Sequence, residues 1–192
     1  MASKIKVDQI QTGDGTGTIA LQNQLSGMTH ASVPVLTTSH LPALTHAQMP
    51  SGSVIQVVGT KNGTQFSSSS TSYVEMTHLR LAITTLSANS NILVIMNCAK
   101  QGNQSQNSVV ATEIRSSLDN YSASLLSNAS AFYSSWNQNQ GTDIVLHSAG
   151  QAAGTTITYR MYAKVNTGSF YAPDLWGVGG HQNSTVIQEI KG

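Results

Sequence analysis

Prolines 34, 42 and 50 stand eight residues apart, and each belongs to the same short phrase. Val33-Pro34-Val35-Leu36-Thr37 superimposes on Leu41-Pro42-Ala43-Leu44-Thr45. Leu25-Ser26-Gly27-Met28-Thr29 falls in the same frame with Ser26 in the proline position, and Met49-Pro50-Ser51-Gly52 opens a further copy. Proline fixes φ and removes a backbone donor, so this stretch is neither a helix nor a central strand. A repeat too short to bury its own apolar positions has to stack on something. Three chains wound about one axis would bury Leu25, Met28, Val33, Leu36, Leu41, Leu44 and Met49. Residues 25–52 therefore read as the stalk of a homotrimer; the alternative is a proline-punctuated linker.

Residues 1–24 precede the repeat. SKIKVDQI alternates, placing Ile5, Val7 and Ile10 toward one side, and TIALQNQL resumes the alternation with Ile19 and Leu21. Between them TGDGTGT offers Gly13, Gly15 and Gly17 for a turn. A lone hairpin is marginal in water. This one is expected to lie on another surface, as an attachment arm.

From residue 53 onward the chain reads as strands. SVIQVVGT, TSYVEMTHLRLAITTL, NILVIMNCA, SVVATEIRSSL, TDIVLHSA, TTITYRMYAKVN and STVIQEI alternate or run apolar, and SASLLSNASAFYSSW is ambiguous. Turn-forming clusters such as SANSN, KQGNQSQN and AGQAAGT separate them. In the second run, Tyr73–Glu75, Leu79, Leu81 and Ile83 are expected to share a buried face. Without an amphipathic helix of useful length, residues 53–192 predict an all-β, antiparallel jelly-roll sandwich.

Only 9% of the 192 residues are charged, against the ~25% usual for soluble chains. Ser, Thr, Asn, Gln and Gly fill the gap, a composition suited to an uncharged, hydrogen-bonding β-rich surface on an extracellular or virion protein. The net charge of +1 with scattered Lys and Arg leaves no footprint for nucleic acid. No apolar run nears the ~20 residues of a membrane-spanning helix. The N-terminus lacks a signal-peptide core, so export by lysis is expected. The single cysteine, Cys98, lies in ILVIMNC and is expected to be a buried small hydrophobe.

Chemistry-bearing patterns are sparse. His30, His40 and His46 sit in the repeat without a second ligand at helical spacing; three copies about an axis could bring one of them into a metal site. His78 and His147 read as sheet residues and His181 as a loop residue. There is no GxSxG elbow, no P-loop and no GxGxxG after a strand. Asp119, Asp143 and Asp174 are expected in or beside loops. Neither catalysis nor a cofactor or metal is expected. Tyr121, Tyr133, Trp136, Tyr171 and Trp176, with Phe132 and Phe170, lie mainly in or next to predicted loops. They fit receptor contacts through sugar stacking as well as they fit core or trimer contacts.

The head SKIKVDQIQT…GTGTIALQN, the bridge MPSGSVIQVVG, the stretches STSYVEMT and LSANSNILVIMNCAK and the tail STVIQEIKG resemble tailed-phage virion proteins of the cyanophage and marine-phage type. These are described as tail fibre or structural proteins, and their C-terminal domain is similar to the trimeric jelly roll of the tumour-necrosis-factor and C1q type. The resemblance implies a homotrimer on the virion surface, joined to tail, baseplate or capsid proteins through Ile5, Val7, Ile10, Ile19 and Leu21. Its head would meet a host surface glycan. A capsid decoration protein is the second expectation, favoured by the short chain, and a secreted C1q-like lectin the third.

Overall fold

The structure, a computed structural model, describes residues 9–11, 18–20, 45–103, 108–132, 138–172 and 182–192. The chain divides into two compact units, Met1–Ala43 and Leu44–Gly192. In the first, β1 (Gln9–Gln11) pairs antiparallel with β2 (Thr18–Ala20), with Ile10 opposite Ile19. The described parts of the two alternating segments are therefore paired; the glycine-rich stretch between them lies outside the described residues. Ile5, Val7, Leu21 and the stalk positions Leu25, Met28, Val33, Leu36, Leu41 and Leu44 lie outside the described residues.

The described residues of the second unit form ten strands: β3 (Val54–Asn62), β4 (Phe66–Ser68), β5 (Val74–Thr84), β6 (Asn91–Asn103), β7 (Ser108–Ser116), β8 (Leu126–Phe132), β9 (Gln138–Ser148), β10 (Thr156–Val165), β11 (Ser169–Ala172) and β12 (Asn183–Ile190). The described residues contain no α-helix, only single 3-10 turns at His46–Gln48 and Ser117–Asp119. Seven of these strands match the runs read from sequence, and β8 resolves the ambiguous stretch SASLLSNASAFYSSW as a strand over Leu126–Phe132. The short pair β4 and β11 was not foreseen, because three or four residues carry too little alternation to register.

The pairing of the eight longer strands is nested. First pairs with last (β3·β12), second with seventh (β5·β10), third with sixth (β6·β9) and fourth with fifth (β7·β8), all antiparallel. The order is β9-β6-β12-β3 in one sheet and β5-β10-β7-β8 in the other, with β11 and β4 extending the first sheet alongside the far end of β6. This is a long hairpin rolled into two layers, the topology of a jelly roll.

Between the layers lie Met76, Leu79, Ile83, Ile92, Val94, Met96, Cys98, Val110, Ile114, Ile157, Tyr159, Met161, Phe170 and Ile187, all essentially buried. Strand β12 shows strict alternation, with Asn183, Thr185, Ile187 and Glu189 inward and Ser184, Val186, Gln188 and Ile190 half-buried on the other side. Strand β6 is apolar on both faces, with Ile92, Val94, Met96 and Cys98 inward and Leu93 and Ile95 outward. That is why it reads as a continuous run.

One expectation needs correction. Tyr73 and Glu75 do not share the buried face of Leu79 and Ile83. The register of β5 against β10 shifts between Arg160/Tyr162, from Arg80 to Glu75. A bulge inserts residues and reverses the alternation. Met76 and His78 point inward before it and Leu79 and Ile83 after it, so Glu75 and Arg80 emerge on the same outer side.

The start of the unit is fastened to its end. Gly52 N donates to Lys191 O at 2.8 Å and Lys191 N to Ser53 O at 2.9 Å. Lys191 Nζ donates to the carbonyls of Ala47 and Met49 at 2.8 and 2.6 Å. Met49, the last stalk position in the sequence reading, thus lies half-buried beside the end of β12.

Candidate functional site

The buried polar side chains Glu189, Asp143, Asn183 and His78 are committed to the fold. Glu189 is fully buried on β12. It accepts Leu86 N at 2.9 Å, Ser87 N at 3.0 Å and Ser90 Oγ at 2.8 Å, fastening the β5–β6 connection. Asp143, expected in or beside a loop, is instead buried within β9. It accepts Thr112 Oγ1 and Asn128 Nδ2, each at 2.7 Å, and so links the two sheets. Asn183 Nδ2 lies 2.7 Å from His78 Nε2, and its Oδ1 accepts Ala99 N at 3.1 Å. Burial lowers the His78 pKa. His147 Nδ1 meets Tyr159 Oη at 2.9 Å; burial lowers the imidazole's pKa, opposed by the Asp119 carboxylate, and raises that of the phenol. His46 is exposed. Among the described residues no three His, Cys, Asp or Glu side chains gather as metal ligands.

The two outer faces of the sandwich differ in kind. On the β9-β6-β12-β3 face the register produces four rows: Ser148–Asn91–Ile190–Val54, Leu146–Leu93–Gln188–Val57, Ile144–Ile95–Val186–Gly59 and Thr142–Asn97–Ser184–Lys61. The two middle rows are mostly apolar. Leu146 is 58% exposed, Val57 57%, Ile144 54% and Val54, in the first row, 47%. Lys61, at the far end, is the charged side chain of these rows. It helps line a shallow depression with Gly59, Thr60, Ser184 and Val186.

The β5-β10-β7-β8 face collects charge and aromatic rings. Arg80, Arg160 and Arg115 stand directly opposite one another on β5, β10 and β7. They are the chain's three arginines. The next row is Glu75–Tyr162–Glu113–Ser127. Arg160 Nη1 pairs with Glu75 at 3.0 Å, Arg80 Nε with Glu75 at 3.4 Å, and Arg115 with Glu113 through two bonds of 3.0 and 2.7 Å. The Arg115 guanidinium lies 4.7 Å from the Tyr162 ring centre and 5.5 Å from that of Tyr73; Lys164 Nζ lies 4.4 Å from Tyr73. Arg160 stacks on Tyr121 at 3.9 Å. Partial burial raises the pKa of the Tyr73 phenol.

Tyr121 is the sequence-predicted contact residue that joins this face. It follows Asn120 in the left-handed region, at φ 61° and 55° respectively. Tyr121 N donates to Ser116 O at 2.9 Å and its carbonyl accepts Arg115 Nη1 at 3.1 Å. Tyr171 sits half-buried on β11, in the other sheet, so the two tyrosines do not form one site. Phe170 is a core residue, buried against Phe66 at 5.7 Å between ring centres. Tyr133, Trp136, Asp174, Trp176, His30, His40 and His181 lie outside the described residues. Sequence reading missed Tyr73, Tyr162 and the arginines because their proximity arises from strand register, although TYRMY and TEIR did place Tyr and Arg on alternate positions of strands.

No family model matches the chain, and no curated protein matches it. Among solved structures, the chain is similar to that of the infectious bursal disease virus Gx strain at 12% identity and a TM-score of 0.37, covering 72% of this chain and 38% of that one. The VP2 subviral particle of the same virus aligns at 12% identity and a TM-score of 0.35, covering 71% and 37%. The chain thus spans well under half the length of these neighbours, and a likeness this distant carries nothing about function.

Proposed function

We propose that the chain is a bacteriophage virion structural protein, a homotrimeric tail fibre or spike that acts by binding and not by catalysis. The arm of residues 1–24 anchors it to another virion protein, the octads of residues 25–52 extend it, and the jelly roll faces a glycan of the host surface. The observation that carries this reading is the apolar outer face of β9-β6-β12-β3. Monomeric proteins seldom leave more than a few hundred Å² of contiguous apolar surface bare. Leu146, Ile144, Val57 and Val54 stand on a face with little charge, so copies of the same chain can cover it without burying unpaired charges. The octads favour the same partner, since their apolar positions also need neighbours. Threefold display would turn weak contacts into avidity.

The second reading is a trimeric capsid decoration protein, in which the arm and octads lie along capsid proteins. Copy number per virion separates the two: a few tens of chains mark a tail appendage, and hundreds mark decoration. For the adhesin, the purified full-length chain is expected to stain host cells and retard phage adsorption. Failure of both removes receptor binding from the reading.

A further inference from the structure

The β5-β10-β7-β8 face raises an electrostatic question. Like charges placed directly opposite on neighbouring strands are destabilising. Here three guanidiniums face one another across three strands in a chain with only nine basic residues. Glu75 and Glu113 answer part of that repulsion. Four cations, Arg80, Arg115, Arg160 and Lys164, against two carboxylates leave two positive charges on the face. Asp119, near Tyr121 in sequence, is engaged in its own turn, where it accepts Ala123 N at 2.7 Å and Ser122 Oγ at 3.3 Å.

The backbone also places an aromatic ring beside this row. Tyr121 is a bulky residue at φ 61°, a conformation that persists only where its surroundings impose it. The Arg160 stack and the Arg115 bond to the Tyr121 carbonyl do so. They hold the ring against the cationic row.

We infer that this face is a binding site for an acidic saccharide, a glycan bearing uronate or comparable carboxylate groups. Arg115 spends its donors on Glu113 and the Tyr121 carbonyl, so the ligand carboxylates fall to the outer Nη groups of Arg80 and Arg160 and to Lys164. Tyr73, Tyr121 and Tyr162 supply phenol hydroxyls and ring surface for the sugar. An open sheet face suits an extended chain of sugars rather than a single small molecule. The inference deepens the host-glycan reading above by naming face and ligand class, and it rests on that reading for its biological setting only.

The test titrates the full-length chain with trigalacturonic acid and with its fully methyl-esterified form, which keeps the rings and removes the charge. The acid is expected to bind, with the ester and the Arg80→Gln and Arg160→Gln variants each about tenfold weaker or worse, and with binding weakened by salt. Arg80 is half exposed, so Arg80→Gln keeps the test sound should Arg160→Gln fail to fold. Equal binding of acid and ester, or no binding of the acid, overturns the inference. Inorganic sulfate competing as well as the trisaccharide overturns its saccharide half. Wild-type protein that stains host cells but does not bind the acid removes this site and leaves the host-glycan reading standing. Acid binding without staining does the reverse.

Discussion

At the residue scale, the sharpest consequence concerns His78. Asn183 holds the backbone N–H of Ala99 with its Oδ1, which leaves its amide NH2 facing His78 Nε2 at 2.7 Å. The imidazole therefore has to accept, which only the neutral ring can do. Protonation would set N–H against N–H in a buried site. The folded pKa lies below the ordinary value of 6.5, so the unfolded chain binds the proton more readily. Stability is then complete above about pH 6.5 and is lost as pH falls through that value toward the folded pKa. Burial shifts His147 the same way. Urea midpoints measured from pH 7.5 to 5 are expected to fall, and to fall less in His78→Gln even if that variant starts lower. A flat wild-type profile would contradict this account. The residue types here were visible in the sequence; the pairing was not, since positions 78 and 183 meet only through the fold.

At the element scale, strands are recognised by alternation, and the long ones were legible for that reason. The turn clusters marked where they stop. Two local devices escaped. The β5 bulge reverses the alternation within the strand, and nothing in TSYVEMTHLRLAITTL announces it. The loop after β5 is held by an acid from a strand a hundred residues later, Glu189. Replacing Glu189 by Gln swaps an acceptor for a donor opposite two backbone N–H groups. That change is expected to cost about 3 kcal/mol in urea unfolding. It should also raise amide exchange at Leu86 and Ser87 before the rest of β5. A variant as stable as wild type would show that the carboxylate is not what holds the loop.

At the scale of the whole molecule, the question is what covers the apolar face. The homotrimer predicts that sedimentation of the full-length chain gives a threefold mass at micromolar concentration. Leu146→Asp with Val57→Asp is expected to shift that species toward monomer, with strand content by circular dichroism retained. Both side chains stand outward, so the sandwich core is untouched by the change. A trimer unmoved by the double substitution would clear this face of the role while leaving the octads to carry the assembly. A stable monomeric wild type would end the trimeric reading altogether.

The sequence alone determined the class of this protein. Alternating apolar residues between turn-forming clusters admit strands and little else, and a chain so poor in charge presents a hydrogen-bonding surface. It also identified Cys98 as buried and the pairing of the segments that hold Gln9–Gln11 and Thr18–Ala20. Tertiary structure decided what the two outer faces became. Leu93 and Leu146, or Arg80, Arg160 and Arg115, are ordinary strand residues until nested pairing sets them in register. The physical reason is separation along the chain. Periodicity reports which side of a strand a residue takes, whereas neighbours across strands depend on register between segments tens of residues apart, which bulges and hydrogen-bond pairing fix only in the folded chain.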